Sequence, residues 1–184
     1  MTSEPRTVVR EPRVLVISTS LHPSSRSRML AEHARLSLAQ RGIQVAWFDC
    51  REAELPYMDG HSAHGHEAAQ SLQRALGSCD AVLIATGIYN YDVSAVAKAC
   101  LELGGRAWND KTVGIACATG SMVSFMSHMG LVSSLMLDFR CVVVPRFVYA
   151  TGEAFADGKL ADEQVQLRLA ELCGSLADLA RRRM

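Results

Sequence analysis

Five short, continuously apolar runs alternate with longer runs of helical periodicity, and this alternation constrains the fold more than any other feature of the chain. The apolar runs are predicted to be strands, and they cover residues 13–18, 43–49, 81–86, 112–118 and 141–145. Strands that are apolar on both faces are typical of parallel sheets covered by helices. Five such units favour an α/β, doubly wound, flavodoxin-like parallel sheet of order 2-1-3-4-5, with helices on both faces.

Five helices are predicted from apolar residues at helical spacing. They cover residues 25–41, 66–76, 93–103, 122–138 and 162–181. The segment 51–65 is polar and irregular. Residues 1–12 hold two prolines and are predicted to be a disordered tail, whereas residues 13–184 are predicted to form a single domain.

The composition argues against several functional classes. Lys plus Arg and Asp plus Glu number 19 each, so the chain lacks both the basic surplus of a nucleic-acid binder and a strongly acidic electron-carrier surface. Its six cysteines form no CxxC motif and are predicted to be free thiols in a reducing compartment. No apolar run approaches the ~20 residues of a membrane span, and the first residues lack the apolar centre of a signal peptide. We therefore expect a cytoplasmic protein that binds neither nucleic acid nor membrane.

The candidate site follows from the predicted sheet. Ligands of open parallel sheets bind beyond the carboxyl ends of the strands, so the loops after Ser18, Thr86 and Ala118 are the ones to inspect. The first loop lacks the GxxxxGK[ST] of a Walker loop, the GxGxxG of a dinucleotide site and the CxxxxxR of a phosphatase. It also lacks the acidic residues of a response-regulator receiver. Instead, the stretch VLVISTSLHPSSRSRML holds six hydroxyl side chains within ten positions and no glycine.

This hydroxyl-rich loop opens a predicted helix and has the donors to bind phosphate. Ser20, Ser25 and Ser27 can donate hydrogen bonds, and the first backbone N–H groups of the helix add donors and a favourable dipole. Arg26 and Arg28 add positive charge for a dianion. The alternative is a serine-rich helix cap with solvated arginines, and the loop alone does not decide between the two.

The second and third loops have the small and polar residues that a planar ring needs around it. Gly87 permits close approach of the backbone, and Tyr89 and Asn90 stand at the end of their strand. The third loop, CATGSMVS, forms a small polar turn ahead of a helix. Each loop taken alone is equally compatible with an ordinary strand-to-helix turn.

Together the three loops resemble a known family, the NAD(P)H-dependent FMN reductases. STSLHPSSRSRML resembles that family's GSxRxxSxNRxL phosphate loop, TGIYNYDVSAVAKACLEL its TPxYNGSxPGxLKNALD segment, and KTVGIACATGSMVS its third flavin loop. The C-terminal region is most similar to the branch that supplies reduced FMN to sulfonate monooxygenases. The order and spacing of the motifs are the specific part of this resemblance.

The resemblance implies that FMN binds at the strand ends, that NADPH or NADH is the hydride donor, and that the protein supplies no catalytic acid, base or nucleophile. The FMN phosphate would be held by Ser20, Ser25 and Ser27, assisted by Arg26 or Arg28, with His22 at the family's arginine position. The isoalloxazine ring would face Thr86, Gly87, Ile88, Tyr89 and Asn90, and its pyrimidine side would face Thr119, Gly120, Ser121 and Met122.

The chain departs from the family pattern at several of these positions. Thr19 and His22 replace a glycine and an arginine, Gly87 replaces a proline, and Tyr91 and Asp92 replace a Gly-Ser pair. Because histidine is only partly protonated near neutrality, the change at position 22 leads to the hypothesis of weaker or pH-dependent FMN binding.

The function that the resemblance implies is a cytoplasmic NAD(P)H-dependent FMN reductase that passes reduced flavin to an acceptor or a partner monooxygenase. A second enzymatic interpretation is a reductase of quinones, azo or nitro compounds, or metal oxyanions on the same flavin. An interpretation of another class is a non-catalytic FMN electron carrier or a binding module.

Two further patterns involve histidines and methionines. The spacing of His61, His64 and His66 fits no common metal site, and we expect no metal there. Methionines recur near helical spacing at positions 122, 126, 129 and 136, which is compatible with a core or with an oligomer interface. The family resemblance implies a homodimer or homotetramer.

Overall fold

The structure is a computed structural model in which residues 10–184 are described. In chain order the elements are β1 (Arg13–Ser18), α1 (Arg26–Gln40), β2 (Gln44–Asp49), α2 (Cys50–Ala53), α3 (Glu67–Gly77), β3 (Ala81–Tyr89), β4 (Asp92–Val93), α4 (Ala95–Gly104), β5 (Thr112–Ala118), α5 (Met129–Leu137), β6 (Val142–Val143), β7 (Val148–Ala150), β8 (Phe155–Ala156), β9 (Lys159–Leu160) and α6 (Glu163–Arg183).

The main sheet has the predicted flavodoxin-like order. Strands β2, β1, β3, β5 and β6 lie side by side and all pair in parallel. The predicted fifth strand, residues 141–145, is shortened to β6, and a strand that was not predicted, β7, pairs with β5 further along the same edge. Pro145 lies in the gap between β6 and β7, where it has no N–H to give to the ladder. The α/β fold and its strand order are therefore confirmed, with an interrupted last strand.

Alternate residues of the central strands enter two different cores, which explains why the strands are continuously apolar. Val14 and Val16 pack in the cluster with α1 and α6, whereas Leu15 and Ile17 pack in the cluster with α3, α4 and α5. All four side chains are fully buried. Burying an aliphatic side chain of this size contributes roughly 1.5–3 kcal/mol, so both helical layers are held to the sheet mainly by apolar burial.

The fourth predicted helix is wrong in its first half. A helix was predicted over residues 122–138, but α5 begins only at Met129, after a short 3₁₀ turn at residues 122–124. Met126 has a positive φ of 71°, which no α-helix accommodates. The Ser127 hydroxyl donates to the carbonyl oxygen of Ser124, which gives this backbone an alternative to helix hydrogen bonds.

The second flavin-like loop also differs from its prediction. Strand β3 continues to Tyr89 instead of ending at Thr86, because it folds back on β4 in a two-residue hairpin. The predicted helix start at Val93 moves to Ala95, since Ser94 is the helix cap and accepts a hydrogen bond from the Ala97 N–H.

The predicted disordered tail falls mostly on residues 1–9, which lie outside the described residues. Within the described part, the Arg10 guanidinium pairs with the Asp80 carboxylate at 2.7 Å, so Arg10 is fixed to the start of β3. The single-domain prediction for residues 13–184 stays a prediction. None of the helices in residues 10–184 combines the length and apolarity needed to cross a membrane.

Candidate functional site

A groove of about 430 Å³ opens at the carboxyl ends of β1, β3 and β5. Apart from Ala118, every residue that lines it belongs to the predicted set: Ser20, His22, Ser25, Arg26, Ser27, Gly87, Ile88, Tyr89, Thr119 and Gly120. The parallel pairing of β1 with β3, and of β3 with β5, brings these three separate loops to one edge of the sheet. The fold therefore places ten of the fifteen predicted residues around one concave surface, and Arg28, Thr86, Asn90, Ser121 and Met122 do not line it.

The loop after β1 forms without glycine because none of its residues needs a left-handed conformation. Positive φ angles occur at seven non-glycine residues in the described chain, and none of them lies between positions 19 and 25. The His22 N–H donates to the Ser20 hydroxyl at 3.2 Å, and the Ser24 N–H donates to His22 Nδ1 at 3.1 Å. Side chains of the loop therefore satisfy its own backbone.

The N-terminus of α1 points hydroxyl groups at the groove. Ser25 caps the helix, since its Oγ accepts from the Arg28 N–H at 3.0 Å. The hydroxyls of Ser25 and Ser27 lie 3.1 Å apart and line the groove together. A 15-residue helix with such a cap combines hydroxyl donors, free first-turn N–H groups and the positive end of the helix dipole.

The two arginines that follow have different surroundings. Arg28 turns away from the groove: its guanidinium pairs with the Asp49 carboxylate and with Glu32 Oε1, the latter at 3.0 Å. Arg26 lines the groove, and its guanidinium lies against Gly152, where a Cβ would come within 2.9 Å of it. Of the two predicted cations, Arg26 is the one left facing a ligand.

A buried hydroxyl network braces the floor of the groove. The Ser94 hydroxyl lies 3.3 Å from the Thr19 hydroxyl and 3.2 Å from the Thr86 hydroxyl, and all three side chains are buried. Thr19 also donates to the carbonyl oxygen of Ala85. Thr86, which was predicted to face the ring, therefore lies beneath the groove surface. Ser94 was missed by the sequence reasoning, although its position before a helical run signals a cap.

The hairpin between β3 and β4 forms one wall. Its two turn residues, Asn90 and Tyr91, have φ angles of 51° and 63°, the pattern of a type I′ turn. A glycine is common at such a position, so Tyr91 adopts an unfavourable conformation while its ring remains exposed. The Tyr89 ring folds over Gly87, where a Cβ would meet it at 2.9 Å. Gly87 is thus required for the position of Tyr89.

The third loop closes the opposite wall. The Thr119 N–H donates to the carbonyl oxygen of Ala150. The Thr119 hydroxyl donates to the carbonyl oxygen of Ser121 at 3.0 Å. A Cβ at Gly120 would meet no atom within 4 Å, so this backbone faces open space. Ser121 and Met122, which were predicted to reach the ring, are exposed and do not line the groove.

The titratable groups beneath the third loop are neutral at pH 7. His128 is fully buried and its Nδ1 lies 2.5 Å from the Tyr149 hydroxyl, whereas its Nε2 has no partner. Burial lowers the pKa of His128 to about 4. Burial likewise raises the pKa of Tyr149 to about 12 and that of Cys117 to about 12. None of these groups is poised to exchange a proton near neutrality.

The histidine-rich segment shows ordinary structural contacts. His66 caps α3 by accepting from the Ala68 N–H, and His64 lies 3.4 Å from the Gln73 amide nitrogen. Across residues 10–184, no group of three or more His, Cys, Asp and Glu side chains is placed to hold a metal ion.

Fold and groove together define a flavodoxin-like α/β protein with a hydroxyl-rich loop at the carboxyl edge of its sheet. The family model of the NADPH-dependent FMN reductases matches residues 12–156, and the chain belongs to this family. A curated FMN reductase (NADPH) of Pseudomonas putida is 32% identical over 117 residues, which are 61% of this chain and 58% of that relative. The match therefore spans less than two thirds of the relative's own length.

Solved structures with the same fold are more distant in sequence. The flavoenzyme NAD(P)H:(acceptor) oxidoreductase FerB of Paracoccus denitrificans superposes with a TM-score of 0.74 at 20% identity, over 93% of this chain and 98% of its own. An oxidoreductase of Corynebacterium diphtheriae superposes with a TM-score of 0.73 at 22% identity, over 92% and 96%. At these identities the superpositions establish the fold.

Proposed function

We propose that the protein is an NAD(P)H-dependent FMN reductase that binds FMN in the groove at the carboxyl ends of β1, β3 and β5. The observation that carries this proposal is the meeting of three loops at one edge of the sheet, with hydroxyls and Arg26 at one end and exposed backbone at the other. Membership of the FMN reductase family supports the choice of cofactor.

The phosphate end of the groove fits a phosphate monoester. Ser25 and Ser27 present hydroxyls at the start of α1, and Ser20 presents another from the preceding loop. Arg26 supplies a cation without a carboxylate partner among the described ion pairs. Hydrogen bonds to a charged group are worth about 1.5–3 kcal/mol each, so this donor set is sufficient to orient the phosphate.

The other end of the groove suits a flat ring. The backbone at Gly120 faces open space, while Gly87, Ile88 and Tyr89 form the opposite wall. Bound FMN would supply the hydride-accepting chemistry, and the protein's part is to hold the ring and leave one face accessible to the nicotinamide. No proton-transfer role falls to the side chains beneath the third loop, since His128 and Tyr149 stay neutral at pH 7.

The test is a binding and turnover experiment on the purified chain. We expect FMN to bind with a change in its visible spectrum, and NADH or NADPH to be oxidised only when FMN is present. Failure to bind FMN would falsify the proposal. Binding without any nicotinamide oxidation would instead favour the electron carrier or binding module. Retention of FMN through gel filtration, with turnover of quinones or azo dyes, would favour the acceptor reductase.

The exposed apolar face of α5 and the segment before it supports self-association. We call this surface the α5 face; its exposed residues are Met122, Val123, Phe125, Met126, Met129, Met136 and Leu137. Leu137 is 81% exposed, which is unusual for a leucine in a row of apolar neighbours. We infer a homodimer or homotetramer that buries this face, in agreement with the sequence-based expectation.

One negative charge added to the α5 face tests whether this face is buried in an oligomer. Leu137→Glu is expected to dissociate the oligomer, as measured by sedimentation or by light scattering after gel filtration. Leu167→Glu, at a leucine that is 58% exposed on α6, is the matched control and should leave the mass unchanged. A wild-type mass of one chain would contradict the inference.

The similarity to the sulfonate branch suggests a flavin-dependent monooxygenase as acceptor of reduced FMN. A coupled assay with such an enzyme would test this.

We also propose that residues 13–184 form one FMN-binding domain. Six unpaired cysteines agree with a cytoplasmic location, because a reducing compartment keeps such thiols free.

A further inference from the structure

Two of the six cysteines lie against each other in the core. Cys50 Sγ is 3.2 Å from Cys100 Sγ, although the two residues are far apart in sequence. Cys50 is the first residue of α2 and Cys100 lies in α4, and each is only 1% exposed. The other four thiols do not lie in such pairs: those of Cys79, Cys141 and Cys173 donate to backbone carbonyls.

The distance between the two sulfurs is close to that of a bond. A disulfide needs about 2.05 Å between sulfurs and about 3.5–4.5 Å between the two Cβ atoms. Sulfurs already at 3.2 Å need to approach by roughly 1 Å to reach that bond length. The native packing therefore holds the two sulfurs of this pair close together.

A row of cavities lies beside Cys50. Cys50 lines a cavity of about 300 Å³ that opens between α2 and α4. This cavity shares Leu21, Ala95 and Val96 with a neighbouring cavity of about 340 Å³, which in turn shares Ser20 and Tyr89 with the groove. These neighbouring cavities bring solvent up to the residues around Cys50, which is itself 1% exposed.

We propose that Cys50 and Cys100 are a redox pair that hydrogen peroxide oxidises reversibly to a buried disulfide. One thiolate attacks a peroxide oxygen, which breaks the O–O bond and gives a sulfenic acid and water. The second thiol then attacks that sulfur and expels a second water, so that two thiols and one peroxide become one disulfide and two waters. A dithiol reductant reverses the reaction through a mixed disulfide.

The oxidation is slow compared with that of an exposed thiol. The hydrogen bond between the two thiols and then burial raise the pKa of Cys50, so little thiolate is present at neutral pH. The pair therefore responds to sustained peroxide and not to brief exposure. This inference does not rest on the proposed reductase activity, because the oxidant is added directly in the test below.

The experiment counts thiols and maps the linkage. Reduced protein is incubated with hydrogen peroxide, denatured, alkylated with N-ethylmaleimide and weighed by mass spectrometry. We expect the number of alkylated cysteines to fall from six to four, with return to six after dithiothreitol. Digestion with trypsin should then give one linked pair of peptides, residues 42–51 and 99–106, each of which contains a single cysteine.

Three serine variants, with glutathione as the reference thiol, test which cysteines form the linkage. Cys50→Ser and Cys100→Ser should each keep all five remaining thiols after the same treatment, whereas Cys79→Ser should still lose two. The wild-type peptide map decides the question even if a serine variant does not fold. Six free thiols after an incubation with peroxide much longer than the one that fully oxidises glutathione, or a linkage between other cysteines, would overturn the proposal.

Discussion

The loop after β1 and the segment after β5 both border the groove, but they are built differently. The first is polar and braced: its Thr19 hydroxyl joins the buried network of Ser94 and Thr86, and its backbone contacts its own side chains. The second contributes to the exposed, apolar α5 face and includes Met126, whose φ is 71°. It ends at His128, which is buried and whose Nε2 has no hydrogen-bond partner.

The two functions proposed above, phosphate binding and self-association, explain this contrast. A site for a phosphate has to be formed before the ligand arrives, so its donors are fixed by hydrogen bonds and a helix cap. A surface that packs against another protein gains its stability from apolar burial, and it can stay exposed and locally strained until then. Four predictions test this division, from the largest expected effect to the smallest.

The largest expected effect is the difference in stability between substitutions of the two arginines of α1. Arg28→Ala should lower the free energy of unfolding by about 3 kcal/mol, because it leaves the Asp49 carboxylate, whose side chain is 1% exposed, without its partner. Arg26→Ala should change stability by less than about 0.5 kcal/mol but weaken FMN binding at least tenfold. Urea denaturation and FMN titration of both variants measure this; the reverse assignment of effects would refute the geometry.

Removal of the hydroxyl at the centre of the braced floor comes next. Ser94→Ala should cost about 2–3 kcal/mol of stability, since it removes the α4 cap and one partner each of the Thr19 and Thr86 hydroxyls. Ser133→Ala, at an exposed position of α5, is the control and should be nearly neutral. Equal stability of the two variants would mean that the network does not brace the floor.

The segment after β5 should make stability depend on pH. The folded-state pKa of His128, about 4, lies below its unfolded value of about 6.5, so the unfolded state binds more protons between these values. Stability should therefore be full above pH 6.5 and fall by roughly 2 kcal/mol on acidification to pH 5. The lowered pKa of His33 acts in the same direction.

Denaturation midpoints at pH 7.5 and pH 5 measure this loss. His128→Asn should flatten the profile in that window, whatever its effect on stability at neutral pH. His61→Asn, an exposed histidine, should leave the wild-type profile intact. If His128→Asn keeps the wild-type pH profile, a group other than His128 causes the pH dependence of stability.

The smallest effect concerns His22, which lines the groove. Its Nδ1 accepts from the Ser24 N–H and so helps to hold the loop after β1. His22→Ala removes this acceptor and should weaken FMN binding a few-fold in a titration at neutral pH, whereas His61→Ala, at an exposed histidine outside the groove, should leave the dissociation constant unchanged. Equal FMN dissociation constants for His22→Ala and the wild type would remove this role of His22.

Much of the fold and of the groove was predictable from the sequence, for a definite reason. Runs such as residues 13–18 and 112–118 are buried on both faces, so their apolar character alone marks them as central parallel strands. Parallel pairing then brings the three loops to one edge of the sheet, wherever the helices pack. The segment 122–128 was less predictable, because a positive φ at Met126 and local hydrogen bonds override its apolar periodicity. In the segment 141–150, Pro145 lies between the two short strands β6 and β7.

The sequence by itself determined the strands of a parallel sheet and the loops that follow them, since these come from periodicity and chain direction, and it favoured the observed strand order. Only the tertiary structure decided how individual side chains are used. Two arginines that each follow a serine look alike in sequence, but the Asp49 carboxylate at the end of β2 pairs with Arg28 and leaves Arg26 at the groove. Likewise, two cysteines fifty positions apart become neighbours only because α2 packs beside α4. Contacts between distant segments depend on packing geometry, which local residue patterns do not encode.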